Sequence, residues 1–255
     1  MACSRHFLTL FFLAPVLALA PAEDAAPRKT AATTEASREA NPLSGMDSET
    51  LLARLTATHR TVTTVTGTLT QRTSQRDDVN DEARVSKATF AVQFPNNYDL
   101  EFTRPDDEEW RLRLCSDGER RWHIEQSFAG TAPDTRMQRT GDGDAELKRL
   151  LACLRLDVKT LRQEFIVKAV PLTAASSAKK SPQDQATGIR VTLIPKPSEE
   201  ELAKQIERIT ADFNNENQLK RLVLDEAQGS RYEVVIDRAE YGKPIKPELF
   251  QGPEK

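Results

Sequence analysis

Hydrophobic and polar residues alternate with a period of two through FAVQFPNNYDLEF, residues 90–102, on either side of a Pro95-Asn96-Asn97 break. Phe90, Val92 and Phe94 share one side, and Tyr98, Leu100 and Phe102 continue it. The pattern predicts a β-hairpin with large apolar side chains on one face and polar ones on the other. Upstream, TVTTVTGTLTQ (61–71) has the β-branched density of a strand. In WRLRLCSDG (110–118), Trp110, Leu112 and Leu114 face one way while Arg111 and Arg113 face the other. Asp117-Gly118 predicts a hairpin turn, with RWHIEQSF as the strand leaving it. EFIVKAV, GIRVTLIPKP, IERITADF, QLKRLVLDE and SRYEVVIDR give further strands, the last three separated by NNEN and AQG turns.

Helical spacing interrupts this series. Asp47 or Ser48 can cap a helix whose stripe is Leu51, Leu52, Leu55 and Val62. Asp144 can cap a second, with Leu147, Leu150, Leu151 and Leu154 on one face. Ser198 with Glu201 forms the pattern of a capping box. The sum is roughly ten strands and two or three helices, with no βαβ alternation. The expected class is α+β, mainly β. An antiparallel sheet of this size must close, pair with another or be covered, since an open one leaves an apolar face bare. Alternation alone leaves open whether that face is a filled core or the wall of a cavity.

The N-terminus changes the setting. Arg5 and His6 precede an apolar run from Phe7 to Leu19, and Ala20-Pro21-Ala22 offers a cleavage site before Glu23. The run is shorter than the ~20 residues of a spanning helix. Residues 1–22 therefore read as a signal peptide cleaved near Ala22, 23–46 as a disordered tail, and 47–255 as a single exported domain. The polar stretch TAASSAKKSPQDQAT reads as a loop.

Charge and chemistry narrow the function. The net charge is −3 with both signs interspersed, so the basic stripe that nucleic acid requires is missing. After cleavage the cysteines are Cys115 and Cys153, which could pair in an oxidising compartment or remain buried thiols. His59 and His123 have no partners at metal or triad spacing, and GDGD (141–144) lacks the further acidic ligands of a calcium loop. No metal, cofactor or enzymatic activity is expected; the pattern favours holding a ligand over transforming it.

The ordered set of motifs resembles the LolA family of periplasmic outer-membrane lipoprotein carriers over nearly all of residues 47–250. The residues that carry the resemblance are Leu69-Thr70-Gln71 after the first helix, Ala88 to Pro95, and Tyr98 to Phe102 with Pro105. Cys115-Ser116-Asp117-Gly118 with Trp122, Leu193-Ile194-Pro195-Lys196 and Glu248-Leu249-Phe250 complete the series. The resemblance implies an incomplete antiparallel β-barrel covered by a helical lid. Its cavity would take acyl chains between a wall of Leu69, Phe90, Val92, Phe94, Tyr98, Leu100, Phe102, Trp110, Leu112, Leu114 and Trp122 and a lid of Leu51, Leu52, Leu55, Leu147, Leu150, Leu151 and Leu154. It implies a monomer with acylated lipoproteins as cargo, a LolCDE-type inner-membrane transporter as donor and a LolB-type receptor as a candidate acceptor. Carriage requires release, so the lid is expected to be weakly held. Phe94 stands where the family keeps the arginine that latches that lid, which leaves two alternatives: a carrier of another lipid or amphiphile, or an RseB-like periplasmic lipid-sensing module.

Overall fold

The computed structural model describes residues 43, 45–75, 83–127, 130–139, 156–173 and 186–253. The expected signal peptide and the expected helix face of Leu147, Leu150, Leu151 and Leu154 lie outside the described residues, as do Cys153, residues 141–144 and most of the 23–46 and 173–187 segments.

Eleven strands form one antiparallel sheet in the order β6-β5-β4-β3-β2-β1-β11-β10-β9-β8-β7. They are β1 (Thr64–Gln75), β2 (Arg84–Gln93), β3 (Asn97–Arg104), β4 (Asp107–Asp117), β5 (Arg120–Gln126), β6 (Asp134–Arg139), β7 (Phe165–Thr173), β8 (Ala186–Pro195), β9 (Ile206–Asn214), β10 (Leu219–Glu226) and β11 (Ser230–Tyr241). Chain neighbours pair except at the centre, where β1 meets β11 and joins two meanders. The sheet is open between β6 and β7; it is mainly β, as the alternation predicts, and an incomplete barrel, as the resemblance implies.

The helices are α1 (Ser48–Arg60), α2 (Val158–Glu164) and the single turn α3 (Glu200–Ala203). Asp47 caps α1 by accepting from Thr50 N at 2.8 Å. The stripe ends with the helix at Arg60, so Val62 falls outside it. The expected Ser198 cap is not made: α3 begins after Glu199 with no side-chain capping bond. Nothing in the sequence reading foresaw α2, which Asp157 caps through Thr160 N and which buries Leu161.

Register fixes two faces. On the inner face, Leu69 pairs with Ala88, Ala88 with Phe102, and Phe102 with Leu112; Phe90 pairs with Leu100, and Leu100 with Leu114. On the other half, Phe165, Val167 and Ala169 of β7 face the same way as Ile189, Val191 and Leu193 of β8, and as Ile209, Ala211 and Phe213 of β9. These residues form one contiguous apolar cluster that also takes in Leu51, Leu52 and Leu55 of α1.

The outer face is charged over the C-terminal half. Asp212 pairs with Arg190 at 2.6 Å and lies 3.6 Å from Arg221, and Arg221 reaches Glu233. Asp225 lies between Arg208 and Arg231. Such rows keep an exposed sheet face wetted and unattractive to other apolar surfaces.

Candidate functional site

The inner wall is built by strand alternation. Tyr98, Leu100 and Phe102 of β3 face inward with Leu112 and Leu114 of β4, Val92 of β2 and Leu69 of β1, all buried. Phe90 and Phe94 are half-buried and pack against the same cluster. Gly67 makes room for Phe90: a Cβ there would lie 3.0 Å from the Phe90 ring and 2.0 Å from the Arg238 carbonyl oxygen. The Phe94-Pro95 peptide is cis, and Phe94 N donates to Thr63 O at 2.9 Å. Ten of the eleven proposed wall residues thus belong to one cluster or pack on it.

Trp122 does not join them. It pairs with Cys115, which pairs with Asp99, and both alternate with the inward residues of their strands. Trp122 therefore lies on the outer face, where the C-terminal segment, residues 247–253, covers it. Gly252 sits so close that a Cβ would lie 2.2 Å from the indole. Arg113 holds this segment, donating to Asp99 at 2.6 Å, to Leu249 O at 2.7 Å and to Gln251 O at 3.3 Å. Phe250 of this segment is buried, and Cys115 is a buried free thiol whose pKa burial raises to about 11. Burial also raises the Asp99 pKa against the opposing pull of Arg113. The strand pattern of RWHIEQ was correctly periodic, but its phase is set by pairing with β4, which the strand's own residues do not reveal.

The residues that replace Trp122 on the inner face are polar: Arg121, His123 and Glu125. Burial lowers the His123 pKa, with Glu125 opposing, and its Nδ1 is buried without a partner. Glu125 accepts from Trp110 Nε1 at 3.1 Å, and the Arg104 guanidinium lies 4.0 Å over the Trp110 ring. Burial lowers the Arg104 pKa; Asp106, Asp107 and Glu125 oppose this and Arg84 adds to it. Arg104 Nη2 is buried without a hydrogen-bond partner, an omission that costs about 1–3 kcal/mol. No grouping of His, Cys, Asp or Glu able to hold a metal occurs among the described residues.

The lid residues Leu51, Leu52 and Leu55 are wholly buried, and α1 lies against β7. Polar contacts fasten it at both ends. Ser48 Oγ accepts from Ala169 N at 2.8 Å and Glu49 pairs with Arg162. At the other end His59 Nε2 meets Asn217 O at 2.7 Å, Asn217 Nδ2 donates to Thr58 Oγ1, and Arg54 donates to Asn215 O. The expectation of a weakly held lid does not fit α1, which is clamped to the sheet rather than resting on it.

No sequence family and no curated protein matches the chain. Among solved structures, the lipoprotein LppX of Mycobacterium tuberculosis is 15% identical at TM-score 0.40, covering 78% of this chain and 98% of that one. A LolA superfamily protein from Nitrosomonas europaea is 8% identical at TM-score 0.38, covering 82% of this chain and 99% of that one. LprF from Mycobacterium bovis is 11% identical at TM-score 0.40, covering 83% of this chain and all of that one. The incomplete barrel is defined by the strand register itself.

Proposed function

We propose that the protein is an exported carrier that shelters the acyl chains of a lipoprotein or lipid on its inner apolar wall. The observation that carries this reading is the wall itself. Large side chains from β1 to β4 line one face of an open sheet, where they form one buried apolar cluster with the facing residues of β7 to β9 and with α1. Each buried methylene contributes roughly 0.8 kcal/mol, so a short length of acyl chain supplies substantial affinity without polar recognition. In the lipoprotein-carrier form of the proposal, a LolCDE-type inner-membrane transporter loads the cargo and a LolB-type receptor accepts it. The phenylalanine in place of the family's latch arginine favours a second form, in which the cargo is another amphiphile.

Native mass spectrometry of protein purified from its own envelope tests the proposal. Triacylated peptide supports the lipoprotein form and free lipid the second. A reproducibly empty protein that also takes up no hydrophobic dye would overturn both.

A further inference from the structure

The inner face is not apolar along its whole height. One pleat step beyond the row Leu69, Ala88, Phe102 and Leu112, the next inward residues are Gln71, Ser86, Arg104 and Trp110. Gln71 is paired directly with Ser86, and Arg84 follows one step further, opposite Thr73. The apolar wall therefore ends in a belt of hydrogen-bonding groups running across three or four strands. Gln71 is buried at 6% exposure, Ser86 and Arg104 are half-buried, and Arg84 is exposed, so the belt runs from the interior out to solvent.

Within the belt Arg104 is the group with work undone. Its guanidinium stacks on Trp110, whose ring is in turn fixed by the bond from Nε1 to Glu125. Stacking holds the guanidinium plane while leaving its edge free to donate, a geometry suited to planar oxygen acceptors. Nη2 lies on that edge, buried and without an acceptor, although Asp106, Asp107 and Glu125 are near enough to act on the charge. Asp107 Oδ1 is occupied by Glu109 N and Trp110 N, and Glu125 Oε1 by Trp110 Nε1, so this donor is left for an acceptor from outside the wall.

We propose that Arg104 is the headgroup-binding residue of the inner wall, and that the bound amphiphile carries an anionic oxygen next to its acyl chain. The chain lies along Phe102, Leu100 and their neighbours, and the anionic group accepts from Arg104, with Arg84 adding positive potential from the adjacent strand. This rests on the reading of the wall as an acyl-binding surface.

The test is displacement of a wall-bound hydrophobic dye by two lipids of equal chain length, monopalmitoylglycerol and palmitoyl lysophosphatidate, below their micelle concentrations. The protein is expected to prefer the phosphate by about tenfold or more. Arg104→Gln should abolish that preference, and Arg104→Lys should restore part of it. Equal affinity of the native protein for both lipids, or a preference that survives Arg104→Gln, overturns the headgroup site while the carrier reading stands. Failure of dye and both lipids to bind overturns the carrier reading as well. Should Arg104→Gln fail to fold, the native protein decides: the preference must be lost when the phosphate of palmitoyl lysophosphatidate is replaced by its neutral dimethyl ester, and an undiminished preference refutes the site.

Discussion

His59 Nε2 lies 2.7 Å from the main-chain oxygen of Asn217, and this contact fastens the last turn of α1 to the β9–β10 turn. A carbonyl only accepts, so Nε2 carries the proton and the neutral ring is that tautomer. The ring also meets Phe213 edge to face at 5.4 Å. Burial lowers the His59 pKa, while the Asn217 carbonyl opposes the shift. Between the lowered folded value and the unfolded value of about 6.5, the unfolded chain binds more protons than the folded one. Stability is thus complete above pH ~6.5 and falls as pH drops below it. His59→Gln should lower stability at pH 7.5 by about 1–3 kcal/mol and flatten the acid slope, with His123 supplying what slope remains. Urea midpoints at pH 7.5 and 5.5 measure both effects; an unchanged slope in the variant would remove His59 from the account.

Phe94 offers a gentler probe of the wall than its buried neighbours. It is half-buried and lies just past the end of β2, so a carboxylate there can reach water without breaking the sheet. Phe94→Asp is expected to cut uptake of a hydrophobic dye several-fold with the fold retained, and Phe94→Leu to change it little. Dye titration alongside circular dichroism reads the two together. Equal uptake by all three proteins would place the acyl site elsewhere.

On the outer face, Arg113 and Gly252 hold the C-terminal segment over Trp122 and Cys115. A methyl group at residue 252 would penetrate the indole, so Gly252→Ala must lift the segment. Cys115 is protected twice, by burial and by a thiol pKa near 11 that leaves little thiolate at neutral pH. Gly252→Ala and Arg113→Met are each expected to raise the rate of Cys115 modification by a thiol reagent at least tenfold in the folded protein. Native-like rates in both variants would show that the segment is not what shields the thiol.

Much of this was readable from alternation. The Phe90 to Phe102 hairpin, the inward Trp110, Leu112 and Leu114, and the buried stripe of α1 follow from periods of two and 3.6. The faces were harder. Within β5 the period is plain, but Trp122 and His123 compete for the inward direction, and the usual preference for burying tryptophan chose wrongly. Tertiary cover decided it: the chain returns 130 residues later to bury Trp122 from outside. The belt at Gln71, Ser86 and Arg104 was illegible for a related reason, because a polar residue in a strand shows its face only through register with its neighbours. Gly67 and Gly188 did carry a signal. Glycine inside a strand marks close backbone approach, and a Cβ at Gly188 would lie 1.8 Å from Phe213 O.

The charged rows of the outer face separate ion pairs that matter from those that do not. The Asp212 side chain is 9% exposed and accepts both Arg190 Nε at 2.6 Å and Arg190 Nη2 at 2.8 Å, with Arg221 close by. Arg238 pairs with Glu240 at the same 2.6 Å, yet its side chain is 74% exposed. Distance alone would rank the pairs as equals. Solvent screens the second and leaves it worth little, whereas loss of Asp212 takes away the bidentate partner of Arg190, Arg221 keeping Glu233, and costs roughly 1–3 kcal/mol. Asp212→Ala should therefore lower the urea midpoint clearly, and Arg238→Ala hardly at all. Adding Arg190→Met to Asp212→Ala should recover part of the loss, because the penalty lies in the unpaired charge rather than in the missing attraction. A double variant no more stable than Asp212→Ala alone would show that the row contributes through packing and not through charge compensation.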